Sequence, residues 1–222
     1  MKRLEKLGIV ALGAVALTAL GGTGSASAEK SGSFTATGGA GHKLETSVVS
    51  QHVLTLTGSE LKCNKVTFTG ATEGVETTSQ TVTPSFSECT AFGLPTTITN
   101  SNCVIRLTAT TDKEGGHAEA HLEKGPGAGE CSITTLAKNI FGECHTELTP
   151  QTIKGIHYVN NASPEGSTWQ FTATSLVDHV TKSTGVCPLS VGTHSNGSWT
   201  AEVAITAAGG LQYMETASAG AP

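Results

Sequence analysis

Cys89-Thr90-Ala91-Phe92-Gly93-Leu94-Pro95-Thr96-Thr97-Ile98-Thr99-Asn100-Ser101-Asn102-Cys103 is the stretch around which the chain reads. A strand-like run precedes it (Thr81-Val82-Thr83-Pro84-Ser85-Phe86) and another follows it (Val104-Ile105-Arg106-Leu107). Gly93 and Pro95 between them force a bend. A second bracket of nearly the same size runs from Cys131 to Cys144, and Cys63 and Cys187 remain, far apart in the chain. The spacing predicts two local disulfides, Cys89–Cys103 and Cys131–Cys144, and a long-range one, Cys63–Cys187. Each local bond closes a loop of about 15 residues and contributes roughly 3 kcal/mol through loop-closure entropy. The nearest rival pairing exchanges partners among Cys63, Cys89 and Cys103.

Outward from this bracket the chain is strand after strand. It holds 35 threonines, and β-branched residues suit a pleated, half-buried surface. Apolar residues alternate with polar ones in Val66–Thr69, Ile105–Ala109, Trp169–Ala173 and Trp199–Ile205, leaving one apolar and one wet face each. That is the antiparallel pattern. Further strands are expected at 44–49, 53–57, 75–82, 131–136, 145–148, 154–159 and 175–181. Asn196-Gly197 before Trp199 is a two-residue hairpin signal. The one candidate helix is short, Leu136–Phe141, and lacks a capping box. These signals predict an all-β fold, an antiparallel sandwich or barrel stapled by disulfides, with little or no helix.

Lys2, Arg3 and Lys6, the apolar run Ile9–Leu20 and the Ala26-Ser27-Ala28 ending read as a removable secretion signal over residues 1–28. The apolar run is too short to span a membrane as a helix, which takes about 20 residues. Gly-rich residues 29–41 read as a flexible N-terminal arm, and residues 207–222 as a similar tail. Between them lies one β domain, 42–206, with a possible subdivision at Gly125-Pro126-Gly127-Ala128-Gly129. Without the signal the charge is 10 basic against 17 acidic residues, −7 (13 less Lys2, Arg3 and Lys6; 18 less Glu5). An acidic surface repels phosphate backbones and anionic headgroups, so neither nucleic acid nor membrane insertion of the mature form is expected. Six cysteines in an exported chain, with no Cys-x-x-Cys, read as disulfides rather than metal ligands or redox pairs.

The most suggestive chemistry is His117-Ala118-Glu119-Ala120-His121-Leu122-Glu123. On a strand the histidines and glutamates share one face, with same-face neighbours about 7 Å apart. Glu119 and His121 are then candidate metal ligands if the next strand supplies a third group; otherwise the face is simply solvated. No cofactor is indicated. No His-Glu-x-x-His or Gly-x-Ser-x-Gly motif occurs. Asp178 and His179, adjacent on a strand, face opposite ways, and His194-Ser195-Asn196 falls at an expected turn. Trp169 and Trp199 sit on apolar faces and read as core.

Lys62-Cys63, Phe68-Thr69-Gly70, Thr81 to Gly93, Asn102-Cys103, Pro150 to Tyr158 and Gly185-Val186-Cys187-Pro188 together resemble a set of secreted proteins of high-GC Gram-positive soil bacteria. The resemblance implies export and a shared cysteine framework, and it carries over no catalytic residue. The expected function is an extracellular binding or structural module with an unidentified ligand or protein partner. The alternatives are a small secreted hydrolase or metal-binding protein using His/carboxylate chemistry, and a secreted inhibitor presenting Phe92-Gly93-Leu94-Pro95 from a loop braced by Cys89–Cys103.

Overall fold

The fold was obtained as a computed structural model, which describes residues 31–110, 117–161, 166–185, 187–208 and 210–216. The expected secretion signal lies outside the described residues. Fifteen strands and no helix occur among the described residues: β1 (Ser31–Thr35), β2 (Leu44–Val48), β3 (His52–Leu56), β4 (Ser59–Thr69), β5 (Glu76–Thr77), β6 (Ser79–Ala91), β7 (Leu94–Ser101), β8 (Cys103–Thr110), β9 (His117–Lys124), β10 (Ser132–Asn139), β11 (Gly142–Leu148), β12 (Gln151–Asn160), β13 (Gly166–Ser183), β14 (Gly192–Ala207) and β15 (Gln212–Thr216). The candidate helix at Leu136–Phe141 is instead the end of β10 and a turn. The β-branched residues Ile133, Thr134 and Thr135 continue their alternation through it, pairing with both β7 and β11.

The chain folds as a closed antiparallel barrel. β14, β3, β4, β6, β7, β10, β11 and β13 make one closed circuit of eight strands. β6 and β13 are long enough to be used twice. Ser79–Val82 of β6 pairs with β8, while its Cys89–Ala91 pairs with β7. Ser167–Phe171 of β13 pairs with β12, while its His179–Ser183 pairs with β11. Strands β8, β9 and β12 therefore form a second tier above β7, β10 and β11, and β2 pairs with β14. One wall is made of long strands and the opposite wall of two stacked tiers.

The apolar faces anticipated from alternation are the interior. Val66, Phe68, Ile105, Leu107, Trp169, Phe171, Ala173, Trp199, Ala201, Val203 and Ile205 are all buried. Phe68, Phe171 and Trp199 stack face to face, Phe171 and Trp199 at 4.4 Å between centroids. Where the two tiers meet, Leu122, Ile133, Leu148 and Trp199 leave an enclosed space of only about 20 Å³, so the barrel is filled by side chains.

Parts of both segments expected as flexible arms form strands, β1 and β15. β1 pairs with β15 and with β5 in a separate three-stranded sheet. Phe34 of β1 and Tyr213 of β15 pack on Tyr158 of β12, which meets Trp169 edge-on. Asn160 holds β15 by bonding both the N–H and the carbonyl of Tyr213. Small Gly, Ser and Thr residues allow this pairing, and the buried Phe34 and Tyr213 drive it. This sheet closes one end of the barrel.

The disulfides join consecutive cysteines, Cys63–Cys89, Cys103–Cys131 and Cys144–Cys187. This overturns the pairing expected from spacing. Cys89 lies opposite Thr96 near one end of β7, and Cys103 follows its other end. Seven extended residues, roughly 23 Å, keep the two apart. Cys144 lies opposite Ala137, six residues along β10 from Cys131, and the same argument separates that pair. Strand pairing sets the true partners instead: Cys63 and Cys89 are directly opposed across β4 and β6, with Cα atoms 4.0 Å apart.

Asn196-Gly197 is not a hairpin. It lies inside β14, where Gly197 faces Leu176 across an irregular stretch of the ladder. The glycine serves close approach there, because a Cβ on it would stand 2.9 Å from the Leu176 carbonyl oxygen.

Candidate binding surface at one end of the barrel

The antiparallel order carries four connections to the end opposite the capping sheet. They are Thr57-Gly58 between β3 and β4, Phe92-Gly93 between β6 and β7, Ile140-Phe141 between β10 and β11, and the link from β13 to β14. Thr57-Gly58 and Phe92-Gly93 have positive φ at both residues, the two-residue hairpin geometry that matches strand twist.

Ile140 and Phe141 project from this end. They are 91% and 72% exposed, and Val191, at the foot of β14, is 64% exposed. The side chain of Asn139 accepts the Phe141 N–H at 2.8 Å and fixes the turn. Val49, Val75 and Val159 are also exposed but lie toward the other end. The connection after β13 is held against this tip. Thr184 exchanges backbone hydrogen bonds with Glu143, and Gly185, at φ 60°, sits so close that a Cβ on it would overlap the Phe141 carbonyl oxygen.

Phe92 links the surface to the interior. Its inner side meets the barrel mouth formed by Leu56, Leu61, Ala91, Ala137 and Leu189. Its outer side walls an open cleft of about 540 Å³ with Ser59, Thr90 and the Lys62–Glu60 ion pair at 2.7 Å. Nearby, Glu143 bonds Lys182 and His145, and these two hold its carboxyl at a pKa of about 2. Glu143 thus stays ionised near neutral pH and is poised as neither acid nor base. Protruding apolar groups, one aromatic wall and internally paired charges are equipped for recognition.

The predicted metal candidates lie elsewhere. Glu119 and His121 do share the outer face of β9, with a 3.9 Å contact between them. Their cross-strand neighbours are Thr108 and Arg106 on one side and Thr152 on the other. Lys154 reaches Glu119 at 3.8 Å, and Arg106 grips Glu123 with two hydrogen bonds of 2.9 and 3.0 Å. The face is an ion-pair lattice, with cations where a third ligand would have to stand. No group of three metal-ligating side chains occurs among the described residues; the side chain of His117 lies outside them. Asp178 is buried and faces inward, while His179 faces out to Thr193. His194 lies within β14 and bonds the Ser190 carbonyl.

The Phe92-Gly93-Leu94-Pro95 segment is also recast. Leu94 pairs with Ala91 as the first residue of β7, and no bond joins Cys89 to Cys103. What remains is a tight turn rather than an extended, braced loop. Ile140 and Phe141 had one signal in the sequence, two large apolar residues between Asn139 and Gly142. Comparison with protein-family models, with curated proteins and with solved structures finds no match for this chain.

Proposed function

We propose that this protein is an exported extracellular binding module that engages its partner through the turn end of the barrel. The single observation behind the reading is the Ile140-Phe141 tip, two adjacent large apolar side chains held in water by a hydrogen-bonded turn. Apolar groups clustered on a surface mark interaction sites, and an aromatic tip suits the desolvated centre of an interface. Phe92 and its cleft supply a neighbouring contact. The pattern of residues 1–28 and the three disulfides support export. The outer faces of the long strands are polar, with Thr67, Thr69, Thr172 and Glu202 in contact with water.

The test immobilises the full chain and passes purified cell-wall fragments, oligosaccharides and secreted proteins over it. At least one saturable interaction is expected. The double variant Ile140→Ser, Phe141→Ser should weaken it tenfold or more, about 1.4 kcal/mol, while Thr172→Ala on the barrel wall leaves it unchanged. Silence across the panel, or equal binding by the double variant, overturns the reading.

A further inference from the structure

The mouth of the barrel at the turn end is apolar, and a short strap closes it. The strap runs from Cys187 to Val191. Leu189 is 4% exposed and fills the mouth against Leu61, Phe92 and Ala137. Cys144 points inward from β11 and is bonded to Cys187, so the disulfide crosses the mouth beside the leucine. The strap is otherwise held by isolated hydrogen bonds: the hydroxyl of Ser183 donates to the Leu189 carbonyl, the His194 ring bonds the Ser190 carbonyl, and the Cys187 N–H donates to the Thr184 carbonyl.

The three bridges differ in access. Cys63, Cys89, Cys103, Cys131 and Cys144 are all at most 5% exposed, while Cys187 is only partly buried. An incoming thiolate must reach a sulfur atom to exchange with it, and Cys187 is the least buried of the six cysteines. Once the bond is cut, the strap is retained by one buried leucine and three isolated hydrogen bonds against the conformational freedom of five residues. One buried side chain and isolated hydrogen bonds of small net worth do not exceed that freedom.

We infer that the Cys144–Cys187 bond is a thiol-releasable fastening, and that its reduction swings Leu189 out and uncovers the apolar mouth of the barrel. The reductant is an external dithiol. One of its thiolates attacks Sγ of Cys187, the bond to Cys144 breaks, and Cys144 leaves as a thiolate that takes a proton from water. The second thiol then displaces Cys187, and two electrons have passed from the dithiol, which ends as a disulfide. The turn end thus has a closed state and an open state with additional apolar surface, whatever partner it serves.

The test titrates the full chain with dithiothreitol and alkylates the freed thiols at each step. Peptide mapping, fluorescence of an apolar dye and far-ultraviolet circular dichroism are read together. Cys144 and Cys187 should be labelled first, with the other four cysteines still paired. Dye fluorescence should rise severalfold at that step with the dichroism unchanged, and fall again on reoxidation. The double variant Cys144→Ser, Cys187→Ser should show the raised fluorescence without reductant, and Leu189→Ala with the bridge intact should show less. Labelling of the other cysteines at the same step, unchanged fluorescence, or loss of the sheet signal in either the reduced protein or the double variant overturns the inference.

Discussion

His52 is fully buried among Phe68, Phe171 and Trp199, and neither ring nitrogen has a hydrogen-bond partner among the described residues. Burial disfavours the imidazolium and lowers its pKa to about 4. The sign follows from the unfolded chain, which takes up the proton near pH 6.5 while the folded one refuses it until about 4. Stability is therefore whole above pH 6.5 and lost as pH falls through that window, by an amount on the order of 3 kcal/mol. His52→Leu should flatten the decline, measured as urea unfolding at pH 7, 5.5 and 4; a variant with the wild-type slope would contradict the assignment. Asp178 works in the opposite sense, since burial raises its pKa and the ionised form is the costly one. Comparing His52→Leu with the wild type at every pH separates the two, because Asp178 is common to both. At Glu119 and His121 the neighbouring Arg106 and Lys154 oppose a cation. Added zinc should leave the melting temperature within about a degree; a shift of several degrees, abolished by His121→Ala, would restore the metal reading.

The elements at the turn end depend on backbone contacts that tolerate little change. Gly185 combines a positive φ with an approach that leaves no room for a Cβ. Gly93 has a similar φ of 72° but open space around it. The conformational cost of alanine at Gly93 is about 1–2 kcal/mol. Gly185→Ala adds displacement of the strap from the hairpin and should lower the melting temperature distinctly more than Gly93→Ala; equal effects would show that the two segments do not press together. The strand interiors were legible because alternation names the buried face directly: Trp199, Ala201, Val203 and Ile205 all point in. The edges of the pattern were not. β1 and β15 look like linkers because only Phe34, Leu211 and Tyr213 betray burial amid Gly, Ser and Thr. Asn196-Gly197 carries a hairpin signal, yet its glycine is needed for a strand crossing. Ile140-Phe141 fell at the end of the candidate helix Leu136–Phe141, while the tight turn that exposes both is a product of the β10–β11 register.

Among the described residues the molecule is a barrel with one end covered by the sheet of β1, β5 and β15 and the other presenting apolar turns. Strand order decides which end is which, and strand order is what spacing along the chain does not carry. The same is true of the disulfides, whose partners are chosen by register across β4–β6 and by the meeting of the two tiers. They close spans of 26, 28 and 43 residues, so each contributes roughly 3–4 kcal/mol through loop-closure entropy, the longest slightly the most. Serine pairs replacing each bridge in turn should show losses of this size in chemical denaturation; a bridge whose removal costs nothing would not be constraining the fold. The pairing of consecutive cysteines underlies the positions of the strap, the mouth and the exposed tip. Proteolysis of the unreduced protein followed by mass spectrometry tests it directly. Cross-linked peptides joining Cys63 to Cys89, Cys103 to Cys131 and Cys144 to Cys187 are predicted; a peptide joining Cys89 to Cys103 or Cys131 to Cys144 would contradict the account.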